Sequence, residues 1–450
     1  MTFKLANIVL LMLIFISSAS SKTYTLEKFI ELVEQNSRDL KMAQTELAMA
    51  DAQYKEALST ALPKIAASGL YNRNLKKMFL YVDFPDFETG EITTQKFQMS
   101  YNNDFNVLAT IRQTLFSLQV GDALQAANQF EMLTAYVYDY SHQTIITMAK
   151  KGFYRALLFK KVWDVRATAE KIAEENFDNV KKKFENGLVS EFDMLQAEVN
   201  WKNLIPETSQ AQRNYEMGMV LLKTFAGIGL ETPLELDGNL DSYPALPDSL
   251  GLETILKQRA DYNALIWERN LRETNVSAQK SNRWPTLTGH FTYNFTSSSD
   301  KFDFDRQNST YFVGVQLNIP IYTGGFVNAQ VQKAKIELDK TDISLRQSQD
   351  EVFRNIKNVR LRLKESYFRI LSADKTRETA RRAFEIAQSS ADNGMATQLE
   401  LDNSRVQLEL AVLNYYTATY DYLDAYYDWQ LAIGRVSGVA SKAEALLEDD

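Results

Sequence analysis

Residues 186–190 read Asn-Gly-Leu-Val-Ser, and residues 393–397 read Asn-Gly-Met-Ala-Thr, 207 positions further along the 450-residue chain. Asn-Gly favours a tight turn, because glycine adopts positive φ without steric cost and asparagine tolerates it. Ser190 and Thr397 are each suited to cap a following helix by accepting a hydrogen bond from its free N–H groups. One such stretch is equally typical of an ordinary turn. Two matching stretches between long helical patterns predict two helical hairpins and an internal duplication.

Long helical patterns flank both turns. With only 8 Pro and 17 Gly in the chain, long uninterrupted helices are expected. Apolar and small residues between Val352 and Ala373 recur at alternating steps of four and three, which is coiled-coil spacing. Thr25 is predicted to cap the first helix. The predicted helices are residues 25–61, 118–185, 189–225, 252–282, 325–392 and 397–433.

Four segments are predicted to be strands: residues 64–76, 104–115, 286–297 and 309–322. The last two alternate between an apolar, aromatic face and a face of hydroxyl and amide side chains. A half-buried sheet of a soluble protein would alternate in the same way. The strand length of about ten residues, the aromatic content and the scarcity of charge favour an outer-membrane barrel. The first two strands alternate less well, and Arg112 is expected to face inward. Between them, the segment 79–105 is expected to be an acidic loop that the second half lacks.

Four strands cannot close a barrel, and an open strand edge is not viable in lipid. Several chains must therefore contribute strands. Two chains would give eight strands and a filled interior, whereas three would give twelve and leave room for a pore. The long predicted helices would continue such a barrel as a wide tube, and a wide tube favours three chains. The predicted fold is mainly α with a small β part, in which a twelve-stranded trimeric barrel continues into a long α-helical barrel.

The first 21 residues have the pattern of a secretory signal peptide, with Lys4, an apolar run and small residues before the expected cleavage site. The first structural repeat is predicted at 22–249, with a connector after its return helix. The second is predicted at 250–450 and ends in an acidic tail, expected to be disordered from Ala440 onward. The absence of cysteine argues against disulfides and a lipid-modified cysteine. The net charge of −8 argues against nucleic acid as a partner.

Residues 317–325, Leu-Asn-Ile-Pro-Ile-Tyr-Thr-Gly-Gly, resemble the signature of the TolC-type outer membrane efflux proteins. The opening at 24–30, the Leu62-Pro63 entry to the first strand and the repeated Asn-Gly turns are also similar to that family. The resemblance implies a homotrimer in outer-membrane lipid, with twelve strands continued by a twelve-helix periplasmic tunnel. It implies the exit duct of a tripartite efflux or type I secretion system. The partners would be a periplasmic membrane fusion (adaptor) protein and an inner-membrane pump of RND or ABC type; substrate and pump class stay open.

The resemblance assigns the two turns to the periplasmic entrance, where the adaptor docks. Six positions after each glycine, Asp193 would help to close the entrance and Glu400 would form part of an acidic, cation-binding ring. The alternative is that both are ordinary solvated carboxylates near a turn. Pro320, Gly324 and Gly325 would form the crossover from strand to helix. The implied adaptor contacts are Gly187, Leu188, Val189, Ser190, Gly394, Met395, Ala396 and Thr397.

The sequence also departs from the family pattern. Ala391 and Ala396 occupy positions where the best-known members carry a tyrosine and an arginine that hold the entrance shut. Asn403 stands in place of a second acidic residue. In the first half, Thr114 replaces the crossover proline, and Leu118-Gln119 replaces the glycine pair. The closing network and the first crossover must therefore be built by other means.

Motifs for catalysis are absent from the sequence. His142 and His290 are its only histidines, and neither a phosphate-binding loop nor a dinucleotide-binding glycine motif is present. We therefore predict no enzymatic activity, no cofactor and no metal site. The alternative to a duct is an exported, non-transporting coiled-coil protein with a structural or adhesive role, in which the strands would not form a lipid-exposed barrel.

Overall fold

The computed structural model describes residues 22–85, 88, 90–393 and 395–449. The predicted signal peptide therefore lies outside the described residues, as do Gly394 and Asp450. Contacts divide the chain into two compact units. One contains the residues up to 47, 134–265 and those from 345 onward, and the other contains 48–133 and 266–344.

The chain is mainly helical with a small β part, which confirms the predicted fold class at the level of one chain. None of the helices in the described residues combines enough length with enough apolar character to cross a bilayer. The helices are α1 (Leu26–Asn36), α2 (Arg38–Ser59), α3 (Leu118–Glu185), α4 (Glu191–Phe225), α5 (Leu252–Gln258), α6 (Ala260–Ser281), α7 (Phe326–Asp392), α8 (Gln398–Ala432) and α9 (Lys442–Asp449). The strands are β1 (Lys22–Tyr24), β2 (Lys64–Arg73), β3 (Phe79–Pro85), β4 (Ile92–Gln98), β5 (Asn103–Phe116), β6 (Leu234–Leu236), β7 (Thr286–Ser299) and β8 (Gln307–Asn318).

Two helices of almost equal length lead to the two turns. Helix α3 has 68 residues and α7 has 67, so each is ~100 Å long at 1.5 Å per residue. The coiled-coil spacing of α7 is reflected in its burial, since Val352, Leu363 and Ile370 are at most 3% exposed and pack against α8. A second cluster in the same unit buries Phe29 and Phe153, whose ring centroids are 5.8 Å apart.

Two helices that the sequence predicted as continuous are broken, at Ser37 and at Arg259. A glycine with positive φ abuts each break. A Cβ on Gly227 (φ +69°) would lie 2.3 Å from the carbonyl oxygen of Asn36, and one on Gly434 (φ +71°) would lie 2.5 Å from that of Gln258. Each break therefore lies at a close backbone approach that only glycine permits, and the same contact occurs once in each half.

The second unit holds an antiparallel sheet in the order β2-β5-β7-β8. Strand β8 ends at Asn318, short of the predicted 322, because Pro320 has no N–H to continue the ladder. In the first half, a register shift between Thr114 and Phe116 precedes α3, so a bulge takes the place of the missing Pro and Gly residues.

The segment 79–105, expected to be an irregular acidic loop, contains a β-hairpin. Strand β3 pairs with β4 from Phe79–Gln98 to Pro85–Ile92. The rings of Phe84 and Phe97 contact each other edge-on at 6.0 Å, which is the kind of cross-strand aromatic pair that stabilises hairpins. The expectation of an irregular loop was therefore wrong over these residues.

The acidic tail was expected to be disordered, but residues 442–449 form α9. Its first turn is held by Asp139 of α3, which is only 1% exposed. The Asp139 carboxylate accepts hydrogen bonds from the Ser441 hydroxyl (2.6 Å) and from the amides of Lys442 (2.8 Å) and Ala443 (3.1 Å). A carboxylate supplied by another helix thus caps α9 together with the local Ser441 hydroxyl, which accepts a hydrogen bond from the Glu444 amide at 3.1 Å.

Candidate functional site

The first predicted tip is a tightly bonded helix end. The Gly187 amide donates to the Phe184 carbonyl (2.8 Å), and the Leu188 amide donates to the Lys183 carbonyl (2.9 Å). This pair of bonds is a Schellman motif, which requires positive φ at the residue that follows the helix. Gly187 provides it, with φ of +71°. The Asn186 side chain adds a bond to the Lys182 carbonyl at 2.7 Å.

The second tip repeats these bonds 207 residues later, so the duplication extends to individual hydrogen bonds. The Met395 amide donates to the Ser390 carbonyl (2.8 Å), and the Asn393 side chain donates to the Ser389 carbonyl (2.7 Å). The predicted contact Gly394 lies outside the described residues.

Both helices that leave the tips begin with a capping box, and the predicted caps Ser190 and Thr397 are their first members. The Asp193 amide donates to the Ser190 hydroxyl (3.2 Å), and the Ser190 amide donates to the Asp193 carboxylate (3.2 Å). In the second tip the Glu400 amide donates to the Thr397 hydroxyl (3.3 Å), and the Thr397 amide donates to the Glu400 carboxylate (2.8 Å). By contrast, Thr25 stands before α1 but its side chain makes no capping bond.

The two predicted gate acids are therefore the third residues of capping boxes. The Thr397 amide and then the Thr397 hydroxyl, both donating to the Glu400 carboxylate, hold the pKa of Glu400 below its ordinary value. Glu400 is exposed and Asp193 half-buried in the single chain. In both tips the cap hydrogen bonds set the direction of the carboxylate.

Large apolar side chains are exposed at both tips. Leu188 is 74% exposed and Phe192 72%, and the corresponding Met395 and Leu399 are 77% and 55% exposed. Val189 and Ala396 are half-buried. An apolar patch that recurs at equivalent positions of a duplicated turn is typical of a surface that binds a protein partner.

Just behind the tips, polar side chains join the two hairpins to each other. The Gln398 amide group donates to Asn176 (3.2 Å), and Asn200 donates to Asp402 (3.4 Å). Arg405 donates to the Ala169 carbonyl at 3.1 Å. We call these residues the inter-hairpin links. A cavity of about 90 Å³ is bordered by four of them, Asn176, Gln398, Asp402 and Arg405. Sequence reasoning missed them because their partners lie more than 200 residues away.

The remaining predicted positions lie in other segments of the chain. Pro320, Gly324 and Gly325 lie between β8 and α7, where both glycines have positive φ (+62° and +82°). His290 lies in β7, and His142 in α3 contacts Glu34 at 3.3 Å. In the part of the chain that the structure describes, no group of three or more His, Asp or Glu side chains is placed to hold a metal ion.

Comparisons with known proteins agree with this architecture. A family model described as outer membrane efflux protein matches residues 29–227 and 251–435. Outer membrane protein TolC of Vibrio cholerae is 20% identical over 305 residues, covering 67% of this chain and 70% of that protein. The alkaline protease secretion protein AprF of Pseudomonas aeruginosa is 19% identical over 321 residues, covering 70% and 67%. The CmeC outer membrane channel of Campylobacter jejuni has the same fold, with a TM-score of 0.76 at 20% identity over 94% of this chain and 88% of that one.

Proposed function

We propose a duct function for this chain, which belongs to the outer membrane efflux protein family. Its relatives are channels of the outer membrane, and the protein is an outer-membrane protein that extends into the periplasm. The proposed role is the exit duct of a tripartite efflux or type I secretion system. The duct conducts substrate passively and has no catalytic step of its own.

The observation that carries this proposal is the open sheet. Strands β2 and β8 lie at its two edges, each with one row of backbone groups that has no partner within the sheet. On β8, Tyr311, Val313 and Val315 share one face and are 74%, 81% and 69% exposed. An exposed apolar face of this kind suits lipid, and lipid does not tolerate an open strand edge. Three copies joined edge to edge would give a closed barrel of twelve strands, so the proposed assembly is a homotrimer.

The tips are the proposed docking surface for a periplasmic adaptor protein, which would connect the duct to an inner-membrane pump. The exposed Leu188, Phe192, Met395 and Leu399 support this, because a monomeric surface seldom repeats such a patch without a partner. Three copies would arrange six tips around one axis. In that arrangement Asp193 and Glu400 would surround the entrance, and three Glu400 carboxylates would form a focused negative field.

The inter-hairpin links are the proposed means of holding the entrance shut. They supply polar contacts near the tips that Ala391 and Ala396 cannot make, since an alanine side chain has no polar atom. Arg405 is central, because it donates to Ala169 on α3 and lies 3.8 Å from Asp402 on its own helix. In a planar bilayer, Arg405→Ala is expected to raise single-channel conductance or open probability, with Arg382→Ala on the exposed surface of α7 as control. Equal conductance in the two variants would remove Arg405 from the gate.

The trimeric closure can be tested with engineered cysteines, because the chain has none of its own. One cysteine replaces Ala66 in β2, and a second replaces Thr310 or Phe312 in β8. Within one chain these strands are separated by two others, or about 14 Å, which is beyond the ~7 Å reach of a disulfide. A disulfide can therefore form only between chains. We expect oxidised outer membranes to yield covalent species up to a trimer.

The matched control pairs Ala66→Cys with Thr110→Cys, since these residues lie directly opposite each other on β2 and β5 of one chain. It should form an intrachain bond and migrate as a monomer. If the control oxidises but cysteines at residues 308, 310, 312, 314 and 316 never link to residue 66, the barrel proposal fails. A protein that also forms no conducting pore would then fit the non-transporting coiled-coil alternative.

A further inference from the structure

Three basic side chains form one row across the four-stranded sheet. Lys64 of β2 lies directly opposite Arg112 of β5, and Arg112 lies opposite His290 of β7. The row ends at Gly314 of β8. Residues directly opposite each other in antiparallel strands project from the same face, with Cβ atoms roughly 5 Å apart. We call Lys64, Arg112 and His290 the basic row.

The basic row lies on the polar face of the sheet and has no acidic neighbours along it. The adjacent rows on that face carry Ala66, Thr110, Thr292 and Phe312 on one side, and Thr114, Thr288 and Gln316 on the other. Among the described residues, neither Lys64 nor Arg112 has a carboxylate within 4.0 Å. Asp104 shares the face but lies eight residues from Arg112, or about 26 Å along the strand. Its carboxylate is also engaged by Asn74 and Ser298.

This arrangement destabilises the sheet of a single chain. Like charges directly opposite each other in a sheet repel, and no partner offsets the repulsion between Lys64 and Arg112. Both side chains are exposed on the polar face. Their charge is therefore directed at whatever lies in front of that face.

Gly314 gives the row a specific shape. A Cβ at Gly314 would lie 2.9 Å from both Cε1 and Nε2 of His290, so the imidazole lies against the backbone of β8. The ring also packs edge-on against Phe312, at 5.9 Å between centroids. The absence of a side chain at Gly314 thus lets the His290 ring lie along the sheet, over β8. The ring nitrogens extend the line of hydrogen-bond donors toward the edge strand.

We propose that the basic row is an anion-binding band in the wall of the duct, which makes small organic anions its favoured permeant class at this level. The proposal rests on the trimeric barrel proposed above, with the polar face directed inward. Three copies would then place nine such side chains around the pore at one height. Rings of Arg and Lys are the means by which pores select anions, and a low-dielectric wall concentrates their field.

The test is ion selectivity in planar bilayers under a tenfold KCl gradient. Wild-type protein is compared with the double variant Lys64→Gln/Arg112→Gln. We expect the ratio of chloride to potassium permeability to fall on the order of threefold in the variant. Block of the wild-type current by citrate, added as a probe anion, should weaken in the same variant. The matched control is Lys76→Gln/Lys96→Gln, which removes the same charge from exposed lysines outside the row.

The outcomes separate this inference from the duct itself. A variant that conducts normally, with the selectivity and citrate block of the control, overturns the anion band and leaves the duct intact. A wild-type protein that forms no pore refutes the duct instead. If the double variant does not assemble into trimers, Arg112→Gln alone carries the test, and unchanged selectivity there has the same meaning. Gly314→Ala, which displaces the His290 ring, should reduce citrate block without changing net charge.

Discussion

Alanine substitutions at Gly434 and Gly187 distinguish two reasons why a position requires glycine, a left-handed backbone conformation and a close backbone contact. Gly434 and Gly187 have the same φ of +71°, so both exclude an ordinary side chain on conformational grounds. A Cβ at Gly187 would meet nothing within 4 Å, whereas at Gly434 it would lie 2.5 Å from the Gln258 carbonyl oxygen. Gly187→Ala therefore measures the cost of the left-handed conformation alone, and Gly434→Ala adds the close backbone contact.

The magnitudes follow from the geometry. The left-handed conformation costs an alanine about 1 kcal/mol. At Gly434 the 2.5 Å contact is also 0.9 Å short of the 3.4 Å at which ordinary contact begins, and the atom it meets is backbone. Overpacking of this kind costs about 1–3 kcal/mol. We therefore expect Gly434→Ala to lose about 2–4 kcal/mol and Gly187→Ala about 1 kcal/mol.

Thermal unfolding in detergent measures the difference, with tryptophan fluorescence as the signal, because Trp429 is only 3% exposed and lies near Gly434 in sequence. All variants are heated at one scan rate, since unfolding of such proteins is commonly irreversible. Gly434→Ala should unfold several degrees below Gly187→Ala. Gly227→Ala should lose at least as much as Gly434→Ala, because its contact is 2.3 Å. Equal transition temperatures for Gly434→Ala and Gly187→Ala would refute the role of the close contact.

Three further predictions concern single carboxylates. Burial raises the pKa of Glu409, which is paired with Arg166 at 2.5 Å, so Arg166→Gln should cost about 3 kcal/mol at neutral pH. A raised carboxyl pKa makes the free energy of unfolding fall as the pH rises above 4.5, the ordinary value for glutamate. Acidification toward pH 4.5 should therefore raise the thermal unfolding temperature of Arg166→Gln. The substitution Glu409→Gln should remove this pH dependence. Glu400→Gln should abolish the block of single channels by divalent cations. In the wild-type protein the pKa of Glu400 is lowered, so the carboxylate stays charged and the block persists until the pH falls below 4.5. Asp139→Ala should release the C-terminal helix, detected as faster removal of a C-terminal tag by protease at unchanged trimer content.

The sequence predicted helices well where local chemistry determines their ends. The bounds of α3, Leu118–Glu185, match the prediction, because an Asn-Gly turn terminates a long apolar pattern there. The breaks at Ser37 and Arg259 could not be read from the sequence in the same way. Each coincides with a glycine about 180 residues away along the chain, and at Arg259 the flanking Gln258 and Ala260 are good helix formers.

The same distinction applies to the tips. Ser190 with Asp193, and Thr397 with Glu400, are three residues apart, so their capping bonds belong to the local pattern. The inter-hairpin links join Gln398 to Asn176 across 222 residues. No periodicity connects such positions. The tip residues were therefore predictable as caps, while the links that hold the two hairpins together became visible only in three dimensions.

This difference in sequence separation has a mechanical consequence for the proposed gate. The capping bonds of Glu400 lie within one helix start, so a hairpin that moves as a rigid body carries them along unbroken. The links made by Gln398 and Arg405 reach α3, and such a motion must break them. The cost of opening is then set by a few hydrogen bonds, about 1 kcal/mol for the neutral Gln398–Asn176 pair and about 1.5–3 kcal/mol for the Arg405 bond, whose donor is charged. That cost is small enough for an adaptor bound to the exposed tip residues to offset, while the negative charge at Glu400 stays in place in both states.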